Sequence, residues 1–476
     1  EGDNTFCGVM GKSVIDYCVC SADVLELLCD FNIGIKPYSD HFPVCFSMSA
    51  SINLSVKDIA LPPKLHWSDK NAITYAKNLK DLSNSQYLIE NLSIDEKVKV
   101  CVDKIRSSTS NNGSVKRFNP KQPWFDSKCE NYRKKMLSKL DTYRRTDLDS
   151  DKLIYQEYKK RYLILCEDKK LSYRNESINK LMNVRNSGDW WKIVNGLKNV
   201  SPKIGNNLQI EELFDHFKIL YNTQSNECQI HWSITNILDP FLDSPFEGWE
   251  LDFVLKELKL NKAPGMDRVG YEFFKFSPIE YRYELLTLFN QIFLKEDIPT
   301  SFRNSIIVPL HKKGDVNNPA NYRGLSLLDA IYKIFTGLLL NRLNEWVEQH
   351  RIINEFQAGF RKGYSTIDNL FNLSSIVHLN FNASKKTYAF FVDFSAAFDR
   401  IPRNSLFYKL CQLGLSRKII NLLQKLYQNT MSQVWDGSSL SETFLVEQGV
   451  KQGCLLSPLL FTLFLVLLER IHQSKF

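Results

Sequence analysis

A mixed α/β and α+β fold built in several units is what the sequence predicts, and three observations carry that prediction. The chain has 476 residues, enough for about three domains, and its 43% hydrophobic content can fill several cores. Short apolar runs bounded by turn residues occupy the start and the last third, whereas the middle is charged and helical in period. One unbroken apolar run, Tyr388–Val392, has the pattern of a strand covered on both faces. Plentiful aromatics and the absence of repeats or low-complexity tracts exclude fibrous and broadly disordered classes.

Taken in order, Ile15–Val19 and Val44–Met48 read as short strands. From about residue 50 to 240 the pattern is helical, broken at Pro62-Pro63, at Asn111–Ser114 and at Ser201-Pro202. A helix is expected to stop at Asn261–Gly265, where Pro264 and Gly265 end it. Leu328, Ile331, Phe335, Leu338 and Trp346 keep near-helical spacing and predict a long amphipathic helix over 327–349. Helices are also expected over Leu406–Leu413 and Ile419–Tyr427. Asp436-Gly437 separates Gln433–Trp435 from Thr443–Val446, the signature of a hairpin. Leu459–Leu468 is too short to span a bilayer and reads as a buried helix, so no membrane partner is expected.

Charge is unevenly spread. Residues 101–205 hold 24 Lys/Arg against 12 Asp/Glu, a net +12 in a chain of +8, so the remainder sums to −4. Tyr132, Tyr143, Tyr155, Tyr158, Tyr162, Tyr173, Trp190 and Trp191 are interleaved with these cations. Such a segment could track a phosphate backbone and stack on bases, or it could be a pair of solvated helices. The 11 cysteines are scattered, odd in number and without zinc-ligand spacing. That usage fits reduced thiols in the nucleus or cytoplasm. The chain begins with Glu1 and ends just after an apolar run, and both ends read as cuts through a longer reading frame.

Three segments carry chemistry. In Phe391–Asp399, Asp393 is expected at the end of a buried strand, just before a turn into a helix. An ionised carboxylate there needs a cation or a donor. Either a hard metal ion such as Mg²⁺ meets it, or Asp393 caps the following helix. In Gln448–Pro458 two glycines allow close backbone approach to a ligand, and Gln452 offers both a donor and an acceptor beside them. In Ile307–Asp315 followed by Asn321–Ser326, Lys312, Lys313 and Arg323 flank a turn-rich loop that suits a triphosphate.

In this order and spacing the three segments resemble the reverse transcriptases of non-LTR (LINE-type) retrotransposons, over roughly residues 245–476. Leu260–Asp267, Ser326–Ile334 and Gln357–Thr366 match as well. The resemblance implies a right-hand polymerase's fingers and partial palm, adding dNTPs to a DNA primer on an RNA template. Asp393 then looks like the first metal-binding aspartate, assisted by the carbonyl of Phe394. Phe398 matches the steric gate against a ribonucleotide 2′-hydroxyl, and Arg323 with Lys312 or Lys313 matches the triphosphate cations. Gln452 and Gly453 match the segment touching nucleotide and template. Gly324 departs from the family's usual Pro, which gains an N–H and loses rigidity.

The family's Asp-Asp pair has no counterpart after Gln452, where Glu469 is the only acidic residue. A two-metal Mg²⁺ mechanism needs carboxylates holding ions about 3.5–4 Å apart. Residues 1–476 alone are therefore expected to lack polymerase activity.

Gly11–Tyr17 and Tyr38–Val44 resemble the end of an exonuclease–endonuclease–phosphatase domain. That resemblance implies an α/β-sandwich remnant in which His41 faces the scissile phosphate, Asp16 orients its imidazole and Asp40 positions metal or water. Its other ligands would lie upstream, so no nicking is expected. The divisions implied are 1–50, a nuclease remnant; 51–240, a basic helical connector; and 241–476, the polymerase part. Two rivals share these segments: a group II intron maturase-like reverse transcriptase, and a non-catalytic nucleic-acid-binding derivative of a transposable element.

Overall fold

The computed structural model describes residues 5–8, 11–14, 16, 19, 21–33, 41, 43–49, 61–84, 92–110, 122–184, 190, 194, 208–223, 236–437 and 439–473. Side chains are described for all of these but 7, 8, 11, 12, 110 and 467–473. Two compact units are formed, one from 1–57 with 114–201 and the other from 58–113 with 202–476. The stretch 51–240, expected as one connector, is thus shared between them.

The first unit contains two small antiparallel ladders. β1 (Phe6–Gly8) pairs β2 (Gly11–Ser13), and β3 (Leu28–Ile33) pairs β4 (Val44–Met48). The strand expected at 15–19 lies mostly outside the described residues; β2, paired in register Gly8↔Gly11, precedes it. Asp16 and Val19 belong to no element, and Ile15, Tyr17 and Cys18 lie outside the described residues.

The longer helices before the second sheet are α1 (Ala72–Asn84), α2 (Ile94–Ser110), α3 (Ser127–Thr146), α4 (Asp149–Met182), α5 (Ile210–Asn222), α6 (Gly248–Glu257) and α7 (Ile279–Lys295). In the first unit α3 and α4 close on Met136, Leu140, Tyr143 and Tyr155. Tyr143 and Tyr155, expected among base-stacking aromatics, are buried in this seam. A charged helix pair needs some apolar stripe to associate, and these tyrosines supply it. Trp190 is exposed, and Trp191 lies outside the described residues.

The second unit is organised by a four-stranded mixed sheet. β5 (Asn304–His311), β6 (Tyr322–Leu327), β7 (Thr430–Val434) and β8 (Phe444–Val446) lie in the order β6-β5-β7-β8. β5 pairs β6 antiparallel and β7 parallel, and β7 pairs β8 antiparallel across the predicted hairpin. The remaining helices are α8 (Ala330–Gln349), α9 (Thr366–Asn382), α10 (Arg403–Gln412), α11 (Arg417–Tyr427) and α12 (Ser457–Gln473). The helix expected to stop at 261–265 is α6, which already ends at Glu257.

α8 is buried on most sides: Ile331, Ile334, Phe335, Leu338, Leu343 and Trp346 all join the main core. A helix this apolar all round belongs inside a core rather than on its surface. Its one buried cation, Arg342, forks onto Glu250 at 2.7 Å on each side and also donates to the Leu242, Ser244 and Pro245 carbonyls. The charge is therefore fully paired, as burial requires. From α1 and α2, Tyr75, Leu79, Val98 and Ile105 pack into the same core as Tyr281 and Leu285 of α7.

Tyr388–Val392 is not a strand. The segment belongs to no regular element, and Tyr388, Phe390, Phe391 and Val392 are 78–95% exposed. Its apolar composition suits a central strand, but a strand also needs a ladder partner for its N–H and C=O groups. None of the four strands of the sheet pairs with it.

Candidate functional site

The β5–β6 loop is closed by its own hydrogen bonds. The N–H of Lys312 donates to the Asn321 carbonyl at 2.9 Å, Asn321 Nδ2 to the Asp315 carbonyl at 2.9 Å, and the Tyr322 hydroxyl to the Val316 carbonyl at 2.7 Å. Lys312 and Lys313 on this loop, and Arg323 on β6, are exposed and form no ion pair among the described residues. The hairpin thus presents three exposed cations on a hydrogen-bonded frame.

Behind it, two segments are stitched together by backbone. The N–H of Gly449 donates to the Ile401 carbonyl at 2.8 Å, and that of Val450 to the Phe398 carbonyl at 2.8 Å. The N–H of Ser326 in turn donates to the Gln452 carbonyl at 2.8 Å. A Cβ on Gly449 would sit 2.6 Å from the Asp399 carbonyl oxygen, and one on Gly453 only 2.2 Å from that of Ser326. Both glycines also hold positive φ, 79° and 149°. The close approach read from the sequence is therefore real, but what the glycines approach is the protein's own backbone.

Asp399 is buried at this junction. Gln452 Nε2 donates to its two carboxylate oxygens at 2.7 and 2.6 Å, and the Tyr221 hydroxyl donates to Oδ1 at 3.2 Å. Burial raises its pKa above the ordinary value; the bonds from Gln452 and Tyr221 and the charges of Arg323 and Arg400 oppose that rise. Phe398 is half-buried, stacked on Phe461 at 4.9 Å and edge-on to Phe360 at 5.9 Å. Its ring is fixed from two sides, as a steric wall requires.

Gly324 sits inside β6 rather than in a loop. A Cβ there would meet the Phe217 ring and the Tyr221 hydroxyl, both at 2.9 Å. Its lack of a side chain lets α5 lie on the sheet and bring Tyr221 to Asp399.

Two buried cations hold the frame. Arg403 donates to the carbonyls of Gly449, Tyr427 and Val446, at 3.1, 2.8 and 2.7 Å, and burial lowers its pKa to about 10. Lys451 donates to the Phe302 carbonyl at 2.7 Å and lies 5.0 Å from the Tyr332 ring centroid; burial lowers its pKa to about 7. The matched loop Leu260–Asp267 docks on the start of α8, where the N–H of Asp267 donates to Asp329 Oδ1 at 3.0 Å. Both pKa values are raised, chiefly by desolvation, and that of Asp267 further by the charge of Asp329.

A pocket of about 480 Å³ adjoins Gly453, walled by Leu325, Leu455 and Tyr271 and edged by Lys262 and Lys333. Apolar walls beside ammonium groups suit a flat base carrying a phosphate.

The structure brings Arg323, Phe398, Gln452 and Gly453 into one neighbourhood through Asp399 and Ser326, with Lys312 and Lys313 on the adjoining loop. Asp393 takes no part in the hydrogen bonds of that junction. Asp393 is exposed and its carboxylate forms no hydrogen bond or ion pair among the described residues, and Phe394 is 52% exposed. Among the described residues no three of His, Cys, Asp or Glu converge as a metal site requires. Asp393 and the Phe394 carbonyl alone would leave most of a hard cation's positions without a protein ligand. The described residues therefore do not compose a metal site.

In the first unit, His41 Nδ1 lies 3.0 and 2.8 Å from the two carboxylate oxygens of Asp16, and the pair holds the Asp16 carboxyl below its ordinary pKa. The Phe6 ring lies edge-on to the imidazole at 5.3 Å. Asp40 lies outside the described residues. No helix among the described residues is long and apolar enough to cross a membrane.

Sequence reasoning missed Asp399, Tyr221 and Asp329. Asp399 stands in the same run as Asp393, and its position beside the aromatic Phe398 was the available signal. Tyr221 and Asp329 carried none.

Comparison with known proteins agrees with the resemblance. Residues 310–475 match the family model for reverse transcriptase (RNA-dependent DNA polymerase). The chain is 28% identical over 260 residues to the probable RNA-directed DNA polymerase from transposon BS of Drosophila melanogaster, covering 54% of this chain and 28% of that protein. It is 30% identical over 256 residues to the probable RNA-directed DNA polymerase from transposon X-element of the same fly, again 54% and 28%. To the RNA-directed DNA polymerase from mobile element jockey of Drosophila funebris it is 31% identical over 222 residues, 45% of this chain and 24% of that protein. The matched part of the chain thus spans about a quarter of these relatives.

Proposed function

We propose that this reverse transcriptase domain of non-LTR retrotransposon type serves RNA-templated DNA synthesis, binding a deoxynucleoside triphosphate between the β5–β6 hairpin and the Phe398–Gln452 junction. Lys312, Lys313 and Arg323 attract the triphosphate, Arg323 as a planar fork and the lysines as point charges. Phe398 walls the sugar, and Gln452 beside Gly453 faces nucleotide and template. In the complete reaction a primer 3′-hydroxyl attacks the α-phosphate and pyrophosphate leaves.

One observation carries the reading: Asp399 and the backbone of Ser326 join the three sequence segments into a single rigid junction. Equilibrium binding of dTTP to the chain, with and without a poly(rA)·oligo(dT) template–primer, tests it. Binding weakened at least tenfold by Arg323→Ala supports the proposal. Undiminished binding in Arg323→Ala and in Lys312→Ala/Lys313→Ala refutes it.

The Asp16–His41 pair supports a second, separate reading for residues 1–50, the end of a phosphodiester-cleaving domain. A chain extended upstream that nicks DNA, and stops nicking in His41→Ala, would establish it. Nicking that survives His41→Ala would exclude it.

A further inference from the structure

We infer that Asp399 is a positioning residue that fixes which end of the Gln452 amide faces the nucleotide, so that Gln452 reads a hydrogen-bond donor on its ligand. An ionised carboxylate has only lone pairs to offer. Of the two ends of the Gln452 amide, only the Nε2 end can therefore satisfy it, and the structure has Nε2 at 2.7 and 2.6 Å from the two oxygens. The amide is planar, so Oε1 turns the other way. With the Gln452 main chain held by Ser326 and the turn held by Gly453, the side chain has no second way to meet Asp399.

Tyr221 strengthens the choice. Its hydroxyl donates to Oδ1, so the carboxylate receives donors from two sides and remains an acceptor. The groups facing Asp399 are Tyr221 from α5, Gln452, Arg323 from β6 and the neighbouring Arg400; both arginines favour its charged form. Burial works against them, so acid returns the proton to Asp399. A protonated carboxyl could donate to Oε1, and the amide would then be free to turn over.

The inference rests on the nucleotide site proposed above. A nucleoside triphosphate carries donors in two places, the sugar 3′-hydroxyl and the base N–H. Their shared chemistry is what Gln452 reads, and analogues separate them. Affinities of the chain for dTTP, 2′,3′-dideoxythymidine triphosphate and N3-methylthymidine triphosphate are measured by equilibrium binding. The native chain should lose about tenfold for whichever analogue lacks the donor that Oε1 accepts.

In Asp399→Asn either amide end of Gln452 can face residue 399, and this discrimination should collapse toward unity. The swap Asp399→Asn/Gln452→Glu restores it, because the new amide donates to a carboxylate whose other oxygen can only accept. In the native chain discrimination should fade as pH drops and Asp399 protonates, whereas Asp399→Asn should show a flat profile. Thermal melting checks that each variant is folded.

Equal, parallel losses for all three nucleotides in Asp399→Asn overturn the inference and leave the nucleotide site standing. So does a native chain that binds all three equally. Absence of any nucleotide binding in the native chain overturns the proposed function, and this inference with it.

Discussion

Tyr221 reaches across 178 residues of sequence to donate its hydroxyl to Asp399 at 3.2 Å. A helix that precedes the matched domain model therefore completes a junction inside it. Both groups are buried, and burial drives the tyrosine pKa far above 10, so the hydroxyl stays a donor at every physiological pH.

Tyr221→Phe removes that donor while keeping the ring. The expected cost is about 1 kcal/mol of stability, the net worth of one buried hydrogen bond. Asp399 should also protonate at higher pH, since a bond that favoured its charged form is gone. Chemical denaturation checks the first, and nuclear magnetic resonance titration of a ¹³C-labelled Asp399 carboxyl the second.

Arg342 and Glu250 form a forked pair with side chains 4% and 8% exposed. Glu250→Ala would leave the guanidinium buried beside Phe246 with carbonyls alone. Loss of about 3–5 kcal/mol is expected, read from urea unfolding midpoints. Replacing both with Met and Leu should cost much less, because no orphaned charge remains.

Lys451 makes stability depend on pH with a definite sign. Its folded pKa of about 7 lies below the ordinary 10.5. Between those values the unfolded chain binds a proton that the folded one does not, so stability rises with pH across that window. Below pH 7 the full penalty of charging a buried ammonium applies. Melting temperatures of the native chain and Lys451→Met should therefore differ most in the variant's favour near pH 6–7, and the gap should narrow by pH 9. A pH-independent gap would contradict the assignment.

Asp267 works in the opposite direction. Its raised pKa means the folded chain keeps a proton that the unfolded one releases, so its contribution is lost as pH climbs through the folded value. Asp267→Asn keeps the side chain's shape and removes the titrating group. The variant should gain on the native chain as pH rises from 4 to 8, measured by the difference in melting temperature.

Much of the second unit was legible in the sequence. Helical periodicity located α8, α10 and α11 within a few residues, and Asp436-Gly437 located the β7–β8 turn. Local rules suffice there because each element's pattern is written in its own residues. Tyr388–Val392 shows where they stop. Five apolar residues specify burial but not which strand supplies the ladder, and among the described strands none does. The site divides the same way. Gln452 and Arg323 could be named as candidates from their segments and Phe398 from the resemblance, whereas Asp399 is bonded to Tyr221 and Gln452, 178 and 53 residues away. Gly324 was read as a loop residue, and its significance lies in the Phe217 ring packed against it.

The most direct test is photocrosslinking of 4-thiothymidine triphosphate to the chain, followed by mass-spectrometric mapping of the adducts. The account predicts attachment within 310–325, 398–403 and 448–455, competed away by unlabelled dTTP and weakened in Arg323→Ala. Adducts confined to other parts of the chain, with these three segments unlabelled, would contradict it.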